Sequence, residues 1–548
     1  MDSPRPLPWE PDPRYRKAVA YFSMEYAIDQ ALKIYAGGLG FLAGSHMRSA
    51  HDLQQNLIGI GILWKYGYYD QVRQDDQCMR VQFIRKYYPF LQPTDLRAQV
   101  SVNGHPVHIR VLRLAPETFG TAPVYLLTTD IPENDYLART ITHRLYDTEP
   151  ATRVAQSIVL GIGGAQVVEQ LGGAAIHHLN EAHALPLAFH LLARLGDVAE
   201  VRRRVVFTTH TPEKAGNEES DPQFLHSMGY FAGLPLETVR QATGTDGALF
   251  SHTLAALRLA ARANGVSRLH AQVARDMWSD NAGTCPIIGI TNAQNARFWQ
   301  DPQLRQALHT DDDAALVARK QAMKRALFEE VADQTGKLFD PQTLTLVWAR
   351  RFAAYKRADL LLHDLYRFNR LLEQQERPVQ IIWAGKPFPF DQTAVDMFDQ
   401  LVRLTWRHPR IAVLTGYEIR LSRLLKQGAD IWLNTPQRLR EASGTSGMTA
   451  AMNGAVNLTI CDGWVPEFAV DGHNCLLIPP ADPTGDAEAQ RAEDALQLME
   501  LLENRALPMY YDQPGRWLQL MKQGMRDVQP RFDSDRLAHQ YYELMYNP

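Results

Sequence analysis

The sequence has no uninterrupted apolar stretch of about 18 residues, so no segment of it reads as a membrane-spanning helix. Cysteine is scarce. Cys78, Cys285, Cys461 and Cys475 stand apart with no C-x-x-C pair, which excludes a zinc site of the usual spacing and a disulfide scaffold. Reduced thiols in a cytoplasmic protein are expected. No lysine/arginine run is interleaved with aromatics, and 57 basic against 61 acidic residues leave a net charge of −4. Neither nucleic acid nor an anionic membrane is therefore expected as a partner. Residues 1–6 are polar and proline-rich, without the basic-then-apolar order of a secretory leader, so Asn457-Leu458-Thr459 is read as an accidental glycosylation match. No internal repeat or extended low-complexity tract is visible, and the polar stretch 482–493 reads as a surface loop leading into a helix.

What is present is enough for large cores: 45% of the 548 residues are hydrophobic, which predicts two large domains or three average ones. Short β-branched runs end in polar or glycine-rich turns at 204–210, 344–351, 379–386 and 411–416, and helical stretches follow them. That is the pattern of a parallel sheet with crossover helices. In such sheets ligands bind beyond the carboxyl ends of the strands, which places His210, Arg351, Lys386 and Tyr417 where chemistry is expected. The stretch from Asp313 to Lys337 alternates charged and apolar faces as a helix and marks the approach to a domain boundary. The expected limits are 1–312 for an acceptor-side domain, 313–340 for an interdomain helix, 341–525 for a donor domain and 526–548 for a C-terminal helix returning to the first.

Three local patterns carry chemistry. Tyr35-Ala36-Gly37-Gly38-Leu39-Gly40 reads either as a plain turn or as a loop whose glycines reach positive φ and bring backbone N–H groups to an anion. Arg350-Arg351-Phe352-Ala353-Ala354-Tyr355-Lys356-Arg357 puts four cations into eight residues, which repel unless a polyanion or acidic neighbours compensate them. Glu441-Ala442-Ser443-Gly444-Thr445-Ser446-Gly447-Met448-Thr449 supplies a carboxylate, a hydroxyl and a glycine turn opening a helix.

Together these segments resemble the α-glucan (glycogen/starch) phosphorylases, whose patterns include G-G-L-G, R-x-x-x-Y-K-R and E-A-S-G-T-x-x-M-K. Further matches are Tyr21-Phe22-Ser23-Met24-Glu25-Tyr26, His178-Leu179-Asn180-Glu181-Ala182-His183, Thr208-Thr209-His210-Thr211-Pro212 and Thr291-Asn292. The resemblance runs from about Tyr21 to the C-terminus and is nearest to the shorter bacterial and archaeal branch. It implies the α/β glycosyltransferase-B architecture, two Rossmann-like domains facing each other across a cleft. It also implies roles. Arg351 and Lys356 correspond to phosphate ligands, with Gly37, Gly38 and the backbone of Thr445, Ser446 and Gly447 beside the same anion. Glu441, Ser443 and Gly444 correspond to ligands of the donor sugar, and His210 and Asn292 to residues near its anomeric carbon and 6-hydroxyl. The catalytic set expected from this is Arg351, Lys356, Glu441 and His210. His178 and His183 find no third ligand at metal spacing, so no metal is expected.

One position departs decisively. The family's pattern ends in the lysine that holds pyridoxal phosphate as a Schiff base, and here Thr449 stands in its place. A hydroxyl forms no imine, so no covalent pyridoxal phosphate is expected. Thr435, Leu439, Arg440 and Ser45 also depart from the family's wording, and Ala293 follows Thr291-Asn292 where the family has glycine. The expected function is a retaining, metal-independent glycosyltransferase that moves a hexose, glucose foremost, from a nucleotide-diphosphate sugar to a sugar or glucan acceptor. Lys386, Tyr417 and Thr449 would line the nucleotide pocket. The alternatives are an α-glucan phosphorylase with noncovalent pyridoxal phosphate and an inactive glucan-binding protein, and a homodimer is left open.

Overall fold

A computed structural model describes residues 7–245 and 247–548; residues 1–6, read above as lacking a leader, lie outside the described residues. The chain divides into two compact units. The first comprises Met1–Tyr69, Phe83–Asn295 and Ser534–Pro548, and the second Asp70–Gln82 and Ala296–Asp533. Each is built on a sheet with helices, the α/β class of the glycosyltransferase-B fold.

The first unit holds a nine-stranded sheet in the order Ile287–Gly289, Arg262–Gly265, Val205–Thr209, Ile176–Asn180, Val19–Phe22, Leu57–Ile62, Val124–Thr128, His105–Leu114, Gln92–Val102. The first seven strands run parallel and the last two are antiparallel. The difference follows burial. Val19–Phe22, Leu57–Ile62 and Val205–Thr209 are buried along their whole length, as strands covered on both faces must be. Gln92–Val102 alternates exposed and buried positions in its second half and turns through Asn103-Gly104, both at positive φ, into its partner. The helix Ser534–Tyr541 packs on Gly38–Asp52, with the Ser49 and Ser534 hydroxyls 2.6 Å apart. It is separate from the helix Pro514–Phe532 of the second unit, because Asp533 between them is extended.

The second unit's sheet is wholly parallel, in the order Ile411–Leu414, Val379–Ala384, Leu344–Ala349, Ile431–Asn434, Val456–Thr459, Leu476–Leu477. The sequences LTLVWA and VQIIWA, apolar but for Thr345 and Gln380, are buried at every position. The helix Asp313–Thr335 is capped by the Asp312 carboxylate at one end and by left-handed Gly336 at the other. Its Leu327, Phe328 and Val331 belong to the same core cluster as Val347, Ile382 and Trp432, so this expected linker is an internal wall of the second unit.

Candidate active site

Polar residues collect at the carboxyl ends of the parallel strands in both units. In the first unit Ser23 and Glu25 follow Val19–Phe22, Glu181 follows Ile176–Asn180, His210 follows Val205–Thr209, and Asn292 follows Ile287–Gly289. Hydrogen bonds tie three of these segments together. His210 Nε2 and Asn180 Oδ1 are 2.7 Å apart, Asn180 Nδ2 donates to Ser23 Oγ at 3.1 Å, and Ser23 Oγ donates to the Glu25 carbonyl at 2.8 Å. With the amide oxygen accepting, His210 carries its proton on Nε2. The protein packed around the imidazole pushes its pKa down to about 3, so the ring is neutral.

Glu181 adopts positive φ, and its Oε1 accepts from the His210 backbone N–H and, at 3.2 Å, from the Thr211 hydroxyl. Burial raises this carboxyl to about 7 in spite of those bonds. His178 is a core residue, with its two ring nitrogens 2.6 Å from Tyr546 Oη and 2.6 Å from Thr208 Oγ1.

The glycine loop differs from its sequence reading in cause. Neither Gly37 nor Gly38 has positive φ; Gly37 is extended at φ −167° and Gly38 opens the helix. A Cβ at either would meet nothing within 4 Å, so the loop face is open. The close approaches lie further along, where a Cβ on Gly40 would fall 2.7 Å from Tyr35 Cβ and one on Gly44 2.0 Å from the Ala27 carbonyl oxygen. The loop also holds a carboxylate of its own: Glu25 Oε2 accepts from the N–H groups of Ala36 at 2.7 Å and Gly37 at 3.0 Å, and Tyr146 donates to the other oxygen.

In the second unit the cation cluster follows Leu344–Ala349. Acidic neighbours compensate most of it. Arg350 reaches Glu441 Oε2 at 2.7 Å and Lys356 reaches the same oxygen at 2.5 Å, with all three side chains less than a tenth exposed. Burial alone would raise the Glu441 carboxyl, but Arg350 and Lys356 outweigh it and hold it near 2. Arg350 also donates to Asn434 Oδ1. Arg357 pairs with Asp494 at 2.8 Å and donates to the Thr435 and Pro436 carbonyls. Arg351 is exposed. The Lys356 ammonium lies 4.7 Å from the centre of the Tyr355 ring.

Asp462, raised to about 6 by burial, accepts from the Glu441 N–H at 3.0 Å and so fixes the backbone that presents the carboxylate. Gly444, at φ +103°, makes the turn into the helix Thr445–Met452; a Cβ there would lie 3.2 Å from Trp464. Thr445 and Ser446 occupy the first helical positions, whose N–H groups lack partners within the helix, whereas the Gly447 N–H donates to the Gly444 carbonyl at 3.2 Å. Lys386 pairs with Glu418 at 3.1 Å, and Tyr417 is buried in the core cluster with its hydroxyl on the Ala349 carbonyl.

Two orphaned polar atoms fall on residues expected to bind sugar: Ser443 Oγ in the second unit and Asn292 Oδ1 in the first are buried without a hydrogen-bond partner. Thr449 is fully buried, and its hydroxyl donates back to the carbonyls of Thr445 at 3.3 Å and Ser446 at 3.1 Å. Position 449 thus offers neither an amine nor an uncommitted hydroxyl, and a covalent pyridoxal phosphate does not fit it.

Sequence reasoning passed over several participants. Glu25 and Glu181 stand inside segments that resemble the family's but were given no role, and Asp462 and Asp494 show no local signal beyond being acids. Gln71 comes from a hairpin far back in the chain. Its side-chain amide donates to the Gly385 carbonyl at 3.0 Å and accepts from the Gly416 N–H at 3.0 Å, pinning two strand ends together. Among the described residues no group of three or more His, Cys, Asp or Glu side chains is arranged to hold a metal ion, and no helix is long and apolar enough to cross a membrane.

Comparison with known proteins places these residues in context. A family profile described as carbohydrate phosphorylase matches residues 287–470, which include the cation cluster and the Glu441–Thr449 segment. An uncharacterized protein of Methanocaldococcus jannaschii is 46% identical over 97% of this chain and its own full length. The maltodextrin phosphorylase of Thermococcus litoralis is 32% identical over 98% of this chain and 71% of its own. A glycogen phosphorylase of Mycobacterium tuberculosis is 34% identical over 97% and 71%.

Proposed function

This chain belongs to the carbohydrate phosphorylase family, a family of glycosyl-transferring enzymes, and from that premise we propose that it is a retaining, metal-independent hexosyltransferase that works without covalent pyridoxal phosphate. Its donor is a nucleotide-diphosphate sugar and its acceptor a sugar or glucan. The observation that carries this reading is position 449, where a buried threonine bonded to its own helix replaces the amine that the family's cofactor link requires.

The rest of the second unit supports a phosphate leaving group. In the proposed reaction Arg351 and Lys356 stabilise the charge that grows on the departing diphosphate, assisted by the Thr445 and Ser446 N–H groups at the helix start. Glu441, kept ionised by Arg350 and Lys356, accepts hydrogen bonds from donor-sugar hydroxyls, and the orphaned Ser443 Oγ takes another. The neutral His210 ring and Asn292 Oδ1 bind toward the anomeric carbon and the 6-hydroxyl. A leaving diphosphate draws Lys356 and Arg350 from Glu441, so donor binding loosens the ion pairs at the moment the carboxylate takes up sugar. Lys386 and Tyr417 border the nucleotide. The leaving phosphate removes the acceptor proton on the same face, which preserves anomeric configuration.

A second reading, phosphorolysis of an α-glucan, is favoured by the names of the relatives in Thermococcus and Mycobacterium. One experiment separates the two. Purified protein is assayed for transfer from a panel of nucleotide-sugars and for glucose 1-phosphate release from glucan plus inorganic phosphate, each with and without added pyridoxal phosphate. Transfer without the cofactor is the expected result. Phosphorolysis with every nucleotide-sugar ignored would replace it.

A further inference from the structure

A helix packed against Thr445–Met452 carries a buried amine. Lys426 belongs to the helix Ile419–Gly428 and is 2% exposed, with its Nζ 4.0 Å from the centre of the Trp299 ring. Burial, with Arg423 adding to it, pushes the ammonium down to about 7. Trp299 is itself buried, and its backbone carbonyl accepts from Asn453 Nδ2 at 2.9 Å. The same nitrogen donates to the Thr449 carbonyl at 2.8 Å. Thr449 and Asn453 are four residues apart, on one face of the helix and its cap. The Trp299 backbone therefore adjoins the end of the helix that carries position 449, and Lys426 covers its ring.

We propose that Lys426 is a specificity-determining residue, lying across the Trp299 ring where a flat aromatic cofactor tied to position 449 would have to stack, and so closing that space to such a ring. Loss of the amine at 449 and occupation of the ring space by Lys426 would then both stand against cofactor binding here. A lysine restored at 449 alone would also bring a second ammonium into a buried place that already holds one, and like charges there repel strongly. The inference deepens the cofactor-free reading above and rests on it.

The test measures cofactor uptake and no transfer activity. Wild type, T449K, K426A, T449K/K426A and T449K/K426M are incubated with pyridoxal phosphate and reduced with borohydride. Adducts are located by mass, and cooperative melting is checked for each protein. T449K/K426A is expected to carry roughly tenfold or more adduct at position 449 than T449K, a difference of about 1.4 kcal/mol. T449K/K426M, which keeps the bulk and loses the charge, should stay close to T449K. If the alanine variant does not fold, K426V takes its place. Equal loading of T449K and T449K/K426A overturns the proposal, as does a folded double variant that takes up nothing, or a wild-type adduct on Lys426 itself. Loading of the methionine variant to the alanine level overturns occupation of the ring space as the cause. These outcomes are independent of the donor assay, so phosphorolysis by wild type would sink the transferase reading separately.

Discussion

Two glutamates follow parallel strands, Glu441 buried in one unit and Glu181 half-buried in the other, and their surroundings drive them in opposite directions. Glu441 meets Arg350 and Lys356 and is held near 2; Glu181 meets only neutral donors and is raised to about 7. Burial is the largest influence on both. What decides the sign is whether a cation comes with it. Glu441 is thus a fixed anion across the physiological range, fit to accept sugar hydroxyls, while Glu181 can hold or release a proton near neutrality beside His210.

The contrast is broken most severely by Glu441→Gln. That change leaves Arg350 and Lys356 buried together without an anion, and a cost of about 3–5 kcal/mol is expected by analogy with other broken buried pairs. Thermal melts should show the loss, and pyrophosphate should stabilise the variant more than wild type, because a diphosphate supplies the missing charge. The variant should keep affinity for the nucleotide while losing it for the nucleotide-sugar; equal loss of both would make Glu441 structural.

Next come Arg351→Ala and Lys356→Ala, each expected to remove a charge-assisted contact of about 1.5–3 kcal/mol from the proposed leaving phosphate. The fall should appear mainly in kcat, since the charge develops in the transition state. Wild-type turnover in either would place the phosphate elsewhere.

The pH dependence of stability sharpens the same comparison. Glu441, lowered from 4.5 to about 2, binds fewer protons folded than unfolded, so its contribution is present above 4.5 and lost as pH falls toward 2. Glu181, raised from 4.5 to about 7, binds more protons folded, so its contribution is present below 4.5 and declines as pH rises toward 7. Denaturation across this range should show the upper slope flatten in Glu181→Gln and the lower slope remain. A slope unchanged in that variant would mean another group titrates there.

The smallest effect is expected for Ser443→Ala. Its hydroxyl has no partner to lose, so melting should barely move, while donor affinity should weaken by about 1 kcal/mol. A melting loss larger than the binding loss would show the hydroxyl serving the fold.

Much of the scaffold was legible. Runs such as Leu344–Ala349 and Val379–Ala384 announce strands because each is short and apolar at all but one position, as a doubly covered strand is, and the polar residues that follow them had to lie at the ligand-binding edge. The cation cluster was legible as a cluster and misleading as a charge. Its compensation comes from Glu441, 85 residues beyond Lys356, and from Asp494, 137 beyond Arg357, separations over which no local pattern signals contact. The glycine loop was found for a reason the backbone does not share, since Gly37 and Gly38 lie in open space and have no positive φ.

By itself the sequence determined what is a property of one residue or one short run: which segments are strands, which motifs stand at their ends, and that position 449 has no amine with which to form an imine. The tertiary structure alone decided the charge state of each glutamate, the neutralisation of the cations and the placing of Lys426 over Trp299. Coulomb attraction and desolvation depend on distance and surroundings, and those exist only once residues remote in the chain have been brought together.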